Sequence, residues 1–373
     1  MSKITRIKRI EQIREKIISL NKFRDGCCDG DIFSPSKFWK NINKFLSYIR
    51  TLPANELEKI RCHIGMGFFI GNPWNKDFYS GHSVLTDREA LEIPIIQKYE
   101  KYISILPEKL WCSEPETNEV VSQIGIRYKG RLVNSDIVKE QACIHNLYSL
   151  GLLNDDKKKK YILEIGPGYG QLIYQLSKIM DNKTTFICVD YPETLFWSAI
   201  FLCVNNDEDG IYIPSGDDND INLVKLSEEY KFILIPNFKI KNLIKNMSFD
   251  LSINQNSFQE MSKDQLHFYC RFLAEFTEGW LYSYNACKQF MNSELDNYVH
   301  TILQKYFIGI PDDDDYKNFG FNFSNVEDKR IFLGYSKELK IRPFRDLSKS
   351  GKVWLCDRML YDRMMEVRFK DQI

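Results

Sequence analysis

The spacing of apolar residues changes character near Lys160. Before that point apolar residues recur every three to four positions, which is the period of an amphipathic helix. After it, short apolar runs alternate with such helices, as in a parallel sheet covered by helices. The sequence therefore predicts an α/β, doubly wound domain over residues 156–373 that ends in an antiparallel hairpin. It also predicts a mainly helical region over residues 1–155, which would bind the substrate, form a lid or mediate dimerisation.

Residues 3–20 carry a stripe of isoleucines along one helix face: Ile4, Ile7, Ile10, Ile13 and Ile17. The opposite face is rich in lysine and arginine. We expect the stripe to dock on the rest of the domain, or on a second copy of the chain in a homodimer. A basic amphipathic helix also fits contact with a membrane surface, and this stays as the alternative.

Two further helices are predicted, over residues 34–62 and 87–106. Between them, residues 65–82 are dense in glycine and aromatic residues, which indicates an ordered loop. In one interpretation this loop lines a substrate pocket. In the other, Trp74 packs into the hydrophobic core and anchors the loop there. A hairpin that turns at Lys129-Gly130, and a helix begun by Asn134 or Ser135, complete the region.

The second half of the chain alternates apolar runs with helical patterns. The predicted strands are 161–165, 184–190, 232–235, 249–254 and 280–284. The predicted helices are 171–180, 193–204, 263–276 and 292–307. A final antiparallel pair is predicted over 330–335 and 352–361. The polar run 205–220 is interpreted as an excursion, and the acidic run Asp312 to Asp315 as a solvated loop.

The chain is organised around residues 161–192. An apolar run ends at Glu164, a turn with Gly166, Gly168 and Gly170 follows, and after a helix a second run ends on Asp190. Strand, tight turn, helix, strand and acid together make a nucleotide-binding βαβ unit. The glycines let the backbone approach a ligand closely, and Asp190 is placed to accept hydrogen bonds from ribose hydroxyls.

The acid before the glycines indicates which nucleotide is bound. The dinucleotide fingerprint needs a glycine where this chain has Gln171. Glu164 would repel a pyrophosphate, but it suits the ammonium and sulfonium of S-adenosylmethionine. The sequence thus favours S-adenosylmethionine over NAD or FAD, with Glu164 and the three glycines around its methionine part. Asn237 and Phe238, past the third strand, are expected at its adenine.

Composition excludes several classes of function. Lysine plus arginine and aspartate plus glutamate both number 51, and this balance argues against a nucleic-acid partner. The ten cysteines include no C-x-x-C pair, so no zinc ribbon is expected. A divalent metal at Glu260 and Asp264 is an option, but no ligand spacing argues for it, and we predict no metal site. We find no apolar run long enough for a transmembrane helix and no signal-peptide pattern, and we expect a cytoplasmic protein.

Four segments, LEIGPGYGQL, VDYPETLFWSAIFL, FDLSINQNSFQEMS and LYSYN, resemble the sugar O-methyltransferase family of polysaccharide-biosynthesis loci. The resemblance covers Asn134 to Asn285. It implies a class I methyltransferase fold and transfer of a methyl group from S-adenosylmethionine to a sugar hydroxyl. Two of these segments also resemble the plant small-molecule O-methyltransferases, but the histidine base of that pattern falls on Gln259, and glutamine takes no proton.

The candidates for the base are therefore others. Glu260 is the first, because it follows the fourth predicted strand, although Ser257 to Glu260 also has the spacing of a capping box that would make it a helix N-terminal acid. His145 is the second. Asn256 and Asn285 are expected to orient the substrate.

Two other functions remain open at this point. One is methylation of a phenolic or polyketide acceptor, which would call for a histidine base. The other is a non-catalytic cofactor-binding subunit of a glycan assembly complex. A nicotinamide oxidoreductase fits least, because Glu164 and Gln171 depart from the dinucleotide pattern.

Overall fold

Helices form most of the N-terminal region that the structure describes. The computed structural model describes residues 2–27, 32–64, 85–115, 125–153, 159–180, 183–206, 210–286, 299–309, 329–340 and 343. The helices of this region are α1 (Lys3–Cys27), α2 (Lys37–Phe45), α3 (Ala54–Leu57), α4 (Ile60–Ile64), α5 (Asp87–Ala90) and α6 (Pro94–Ile103). Two 3-10 turns cover Leu46–Thr51 and Glu108–Leu110. A hairpin of β1 (Ile126–Tyr128) and β2 (Arg131–Val133) then leads into α7 (Ser135–Ser149).

A twisted sheet of eight strands occupies the rest of the described chain. Its strands are β3 (Lys160–Ile165), β4 (Thr184–Asp190), β5 (Ile211–Tyr212), β6 (Phe232–Pro236), β7 (Phe249–Gln255), β8 (Thr277–Ala286), β9 (Phe307–Gly309) and β10 (Lys329–Ser336). Their order is β5-β6-β4-β3-β7-β8-β10-β9. The six strands from β5 to β8 run parallel, whereas β10 is antiparallel to both β8 and β9. This order and these directions confirm the predicted class I methyltransferase sheet.

Helices cover both faces of the sheet: α8 (Gln171–Ile179), α9 (Pro192–Asn205), α10 (Leu223–Glu229), α11 (Lys263–Phe276) and α12 (Val299–Tyr306). Successive strand residues point to opposite faces. On β3, for example, Ile162 joins the core that contains α9, and Leu163 joins the core that contains α11. Two apolar layers therefore sandwich the sheet. In the strand order, β4 lies on one side of β3 and β7 on the other. At such a switch point a ligand crevice is expected, here at the carboxyl ends of β3 and β7.

The isoleucine stripe of α1 packs against α9. Ile10, Ile13 and Ile17 are fully buried, while Ile4 at the helix start is 71% exposed. Each buried isoleucine contributes about 1.5–3 kcal/mol of hydrophobic stabilisation. Since α9 has the sheet on one side and α1 on the other, it can be apolar all round. The isoleucine face of α1 therefore docks on the rest of the domain, which was the first of the two interpretations of the sequence.

Prolines divide the two long helices that the N-terminal pattern predicted. The segment 34–62 breaks at Pro53, which precedes α3, and the segment 87–106 breaks where Pro94 begins α6. Proline has no N–H to donate and disfavours helical backbone in the residue before it, so a regular helix is strongly disfavoured at either place. The hairpin at Lys129-Gly130 and the helix capped by Asn134 are confirmed.

The end of the predicted helix 292–307 is a strand. Helix α12 stops at Tyr306, and the next three residues form β9, which pairs with β10. The short edge strand β5 and helix α10 lie in or near the polar excursion and were also missed. The predicted strand 352–361, the aromatic loop 65–82 with Trp74, and the run Asp312 to Asp315 lie outside the described residues.

Candidate active site

The carboxyl ends of the parallel strands bring most of the predicted site residues to one edge. Glu164, Asp190, Asn237, Asn256 and Asn285 lie at or just beyond the ends of five different strands. The glycine turn follows β3, and Glu260 lies in a 3-10 turn, Phe258–Glu260, after β7. Parallel strands that end together make this edge the expected ligand crevice of the fold.

His145 is the exception. It lies on the face of α7 that packs against α6, where its ring meets Tyr102 with 5.4 Å between ring centroids. Its Nδ1 lies 3.4 Å from the Tyr102 carbonyl oxygen. Burial lowers the pKa of His145 to about 4, so the ring is neutral near pH 7. These contacts are with the N-terminal helices rather than with the strand-end residues.

The glycine turn uses backbone conformations that other residues avoid. Gly166, Gly168 and Gly170 have φ angles of 73°, 61° and 87°, all in the left-handed region. The N–H of Gly166 donates to the carbonyl of Val189 at 2.9 Å, which ties the turn to β4. A Cβ on Gly166 would lie 2.3 Å from Oγ of Ser257. The position therefore needs glycine for its conformation and for the close approach of the chain after β7.

Glu164 is a buried carboxyl whose surroundings suit a cation. The residue is 2% exposed, and within the described part of the chain no donor bonds its Oε2. Burial raises its pKa well above the usual range, and the neighbouring Glu140 carboxylate raises it further. A buried carboxylate oxygen without a donor is costly unless a ligand supplies one. The ammonium group of S-adenosylmethionine would supply such a donor, and this role of Glu164 stays a prediction.

Asp190, at the carboxyl end of β4, contacts the glycine turn. Its Oδ1 accepts from the backbone N–H of Tyr191 at 2.7 Å, and its carboxyl also accepts from the N–H of Gly168. Burial is the dominant influence and raises the pKa of Asp190 to about 7, against the opposing effect of those N–H groups. Near neutral pH the group is therefore divided between an acceptor and a donor form.

A buried amide network joins the ends of β7 and β8 to the end of β3. Asn254 Nδ2 and Ser257 Oγ both donate to the carbonyl of Ile165, at 2.8 and 3.0 Å. Asn285 Nδ2 donates to Asn254 Oδ1 at 2.8 Å, and Asn285 Oδ1 accepts from the N–H of Gln259 at 3.3 Å. Asn285 therefore stabilises both the end of β7 and the turn that carries Glu260.

Asn256 occupies the bend after β7. Its φ is 62°, a left-handed conformation that asparagine tolerates better than most residues. Its N–H donates to the carbonyl of Tyr284 at 2.8 Å, which fixes the bend against β8.

The N-terminal region reaches Glu260 directly. Trp39 of α2 donates its indole Nε1–H to Oε2 of Glu260 at 2.9 Å. The capping-box interpretation of Ser257 and Glu260 is wrong, because Ser257 makes no side-chain cap and α11 begins only after Ser262, which forms the box with Gln265. Glu260 is therefore not a capping residue of α11, and its carboxylate is oriented by a partly buried tryptophan.

The predicted adenine residues also meet the N-terminal segment. Asn237 Nδ2 donates to the carbonyl of Phe33 at 3.0 Å, and the ring of Phe238 stacks on Phe23 of α1 with 6.1 Å between centroids. Gln265 of α11 donates Nε2–H to the carbonyls of Ile32 and Ser34 at 3.1 and 2.7 Å. Residues 32–39 thus lie across the ends of β6 and β7.

Sequence reasoning missed a buried charge cluster beside the glycine turn. Arg61 is 2% exposed; its Nε is 2.7 Å from Glu114 Oε1 and its Nη2 is 2.6 Å from Asp136 Oδ2. The guanidinium lies 4.6 Å from the ring centre of Tyr169, the residue between Gly168 and Gly170. The Tyr169 hydroxyl donates to Asp136 at 3.2 Å. In the sequence, Tyr169 inside the glycine motif is the one residue that could have indicated this contact.

Comparisons with known proteins give structural similarity without a sequence relative. No protein-family model and no curated protein matches the chain. Among solved structures, an O-methyltransferase family protein from Burkholderia thailandensis has 9% identity and a TM-score of 0.34, over 54% of this chain and 58% of that one. A TehB-like SAM-dependent methyltransferase from Corynebacterium glutamicum has 11% identity and a TM-score of 0.32, over 49% and 83% of the two chains.

A third similar structure is the N-methyltransferase NodS from Bradyrhizobium japonicum in complex with S-adenosyl-L-homocysteine. It has 12% identity and a TM-score of 0.31, over 54% of this chain and 88% of that one. The chain covers little more than half the length of the first of these three, at 58%. The fold assignment rests on the strand order and directions described above.

Among the described residues, no helix is both long enough and apolar enough to span a bilayer. No group of three or more histidine, cysteine, aspartate or glutamate side chains in the same ranges is arranged to hold a metal ion.

Proposed function

We propose that the protein is an S-adenosylmethionine-dependent O-methyltransferase whose acceptor is a sugar hydroxyl in the biosynthesis of a glycan. The observation that carries the proposal is the pairing of Glu164 and Asp190 at the ends of adjacent parallel strands, on either side of a glycine turn. An acid that suits a cation and an acid that suits a ribose, joined by such a turn, match the two ends of this cofactor.

Each part of the cofactor has its own residues. Glu164 and the glycine turn hold the methionine portion, with the ammonium group at the Glu164 carboxylate. Asp190 accepts from the ribose hydroxyls. Asn237 and Phe238 are the residues for adenine, and the adenine site includes the contact of Asn237 with the carbonyl of Phe33. When bound, S-adenosylmethionine supplies a methyl group already activated by its sulfonium.

Glu260 is the proposed general base. A sugar hydroxyl is a poor nucleophile until it begins to lose its proton, and a carboxylate at this edge can receive that proton. The hydrogen bond from Trp39 to Oε2 orients the carboxylate, and the burial of Glu260 (8% exposed) strengthens its interaction with an acceptor hydroxyl. Orientation of the acceptor oxygen toward the methyl group is the other main contribution that the protein makes.

The residues around this base support a sugar as the acceptor. The partly buried Trp39 offers a flat apolar face beside a carboxylate, which is the combination that packs on a sugar ring while bonding its hydroxyls. Asn256 and Asn285 are the proposed orienting amides, Asn285 through the turn that it holds. Methylation of a phenol would favour a neutral histidine in this position, where the chain has Gln259 and Glu260.

A transfer assay with a divided acceptor panel tests the proposal. The purified protein is incubated with S-adenosylmethionine labelled in its methyl group, together with free sugars, nucleotide sugars, glycan oligosaccharides or phenols. Products are separated and weighed by mass spectrometry. Label in a sugar fraction supports the proposal. Label confined to phenols supports the small-molecule alternative, and cofactor binding without transfer to any acceptor supports the non-catalytic subunit.

A further inference from the structure

Helix α7 places a second acid beside Glu164. Glu140 is 2% exposed, although it lies 24 positions before Glu164 in the sequence and outside the glycine motif. One of its carboxylate oxygens, Oε1, is 2.9 Å from Nζ of Lys139. For the other, Oε2, the described residues supply no donor. Glu140 and Glu164 thus each retain one buried oxygen that lacks a hydrogen-bond donor.

Two such oxygens in one region are unusual in a folded protein. Most buried polar atoms have a partner, and a carboxylate oxygen without one carries a large desolvation cost. The cost disappears if a cation with several N–H donors enters between them. An ammonium group has three donors and a positive charge, which matches two acceptor oxygens better than water does.

We propose that Glu140 and Glu164 together form a two-carboxylate subsite that receives the α-ammonium group of S-adenosylmethionine. Glu140 then belongs to the cofactor site, and the helix before β3 contributes to it. This inference rests on the proposed function, because it takes the cofactor as given there.

The charges around the subsite support an incoming cation. Arg61 is engaged by Glu114 and Asp136, and Lys139 by Glu140. The Lys139 ammonium lies 2.9 Å from Oε1 of Glu140, and its charge also lowers the pKa of Glu164, but among the described residues neither Oε2 accepts a hydrogen bond from it. Asp190 adds a further acidic group on the β4 side and raises the pKa of Glu164. The thiols nearby, Cys112, Cys143 and Cys188, stay neutral because burial raises their pKa.

Burial raises the pKa of both Glu140 and Glu164, so each binds a proton more tightly than an exposed carboxyl does. A positive charge between them favours the ionised forms of both, so binding of the ammonium group expels a proton to solvent. The coupling gives the subsite a signature that a purely structural Glu140 would lack.

Calorimetry on the full chain tests the subsite. Binding of S-adenosylhomocysteine, which has the ammonium group, and of methylthioadenosine, which lacks it, is measured at pH 7 in two buffers of different ionisation enthalpy. The difference in heat between the buffers gives the protons released. For the wild type we expect more proton release with the first ligand than with the second, because both ligands meet Asp190 through their ribose and only the first has the ammonium group. Equal proton release with both ligands would overturn the subsite without any variant being needed.

The variant Glu140→Gln keeps the shape of the side chain and removes its charge. We expect it to weaken S-adenosylhomocysteine binding roughly tenfold to a hundredfold, the range for a hydrogen bond to a charged group, and to reduce proton release. Its affinity for methylthioadenosine should equal that of the wild type, and a thermal melt verifies that it is folded. Glu100→Gln, which alters an exposed pair with Lys129, is the matched control and should change neither affinity.

The remaining outcomes separate the two proposals. If Glu140→Gln binds S-adenosylhomocysteine as well as the wild type does, the subsite is refuted while the cofactor assignment stands. If it weakens both ligands equally, Glu140 supports the fold and not the ammonium group. If the wild type binds neither ligand, the proposed function fails as well.

Discussion

The substitution Arg61→Met removes the cation from the buried cluster beside the glycine turn. Methionine keeps a similar length and apolar stem but donates no hydrogen bond. Glu114 would retain the amide of Asn134 at 2.8 Å, and Asp136 would retain the hydroxyl of Tyr169 at 3.2 Å. Both carboxylates would stay buried without the guanidinium that now lies 2.7 and 2.6 Å from them.

The expected loss in the free energy of unfolding follows from the burial of this cluster. Removing one member of a buried ion pair costs about 3–5 kcal/mol, because the remaining charge is left uncompensated. A domain is stable by about 5–15 kcal/mol, so this loss is a large fraction of the total. Because Arg61 also stacks on Tyr169 of the glycine turn, cofactor affinity should fall together with stability.

Urea unfolding followed by tryptophan fluorescence measures the change, and calorimetry measures cofactor affinity. Arg131→Met is the matched control: its partner Glu108 is 71% exposed and 3.4 Å away, so the same change there should cost about 0–1 kcal/mol. Equal losses in the two variants, or a loss below about 1 kcal/mol for Arg61→Met, would refute the reasoning.

Three further predictions concern the edge of the sheet. Asp190→Ala should weaken S-adenosylmethionine binding without unfolding the protein. In the wild type, the affinity measured by calorimetry should rise with pH through about 7, because the ionised carboxylate is the form that accepts hydrogen bonds from ribose hydroxyls. Gly166→Ala should lower the free energy of unfolding, measured in urea, more than Gly130→Ala does. At both positions φ is near 70°, where a residue other than glycine costs about 1–3 kcal/mol of strain, but only at Gly166 does the new Cβ also meet Ser257. Glu260→Gln should lower turnover about 100-fold or more while leaving cofactor affinity unchanged.

Each of these has an outcome that contradicts it. Unchanged affinity in Asp190→Ala, or a pH-independent affinity in the wild type, would remove Asp190 from the ribose site. Equal destabilisation at Gly166 and Gly130 would mean that backbone strain alone matters. Turnover near that of the wild type in Glu260→Gln would exclude that carboxylate as the base.

Burial of Asp190 also makes stability depend on pH. Its pKa rises from 3.8 to about 7 in the folded protein, so the folded state holds the proton more tightly than the unfolded chain. The contribution of this group to stability is therefore most favourable below the unfolded pKa and declines as pH rises toward 7. Cofactor binding at Asp190 and stability respond to pH in opposite directions.

Local patterns in the sequence determined the central βαβ unit. The apolar runs around Glu164 and Asp190 predicted β3 and β4 to within one residue, because strand and helix periods are set by neighbouring positions. The three glycines indicated the left-handed turn for the same reason: the need for positive φ is a property of each residue. Proline breaks and the short strand β9 were missed because apolar spacing alone does not report them.

Only the tertiary structure decided which distant groups meet at the site. The contact between Trp39 and Glu260 joins residues 221 positions apart, and that between Arg61 and Glu114 joins residues 53 apart. No local pattern encodes such pairings, since they depend on how α2 and α4 pack against distant parts of the chain. The sequence by itself determined the turn and the acids that suit S-adenosylmethionine. The docking of the helices decided that Glu140 lies beside Glu164 and that a tryptophan orients the candidate base, because burial and charge proximity arise only when the layers pack together.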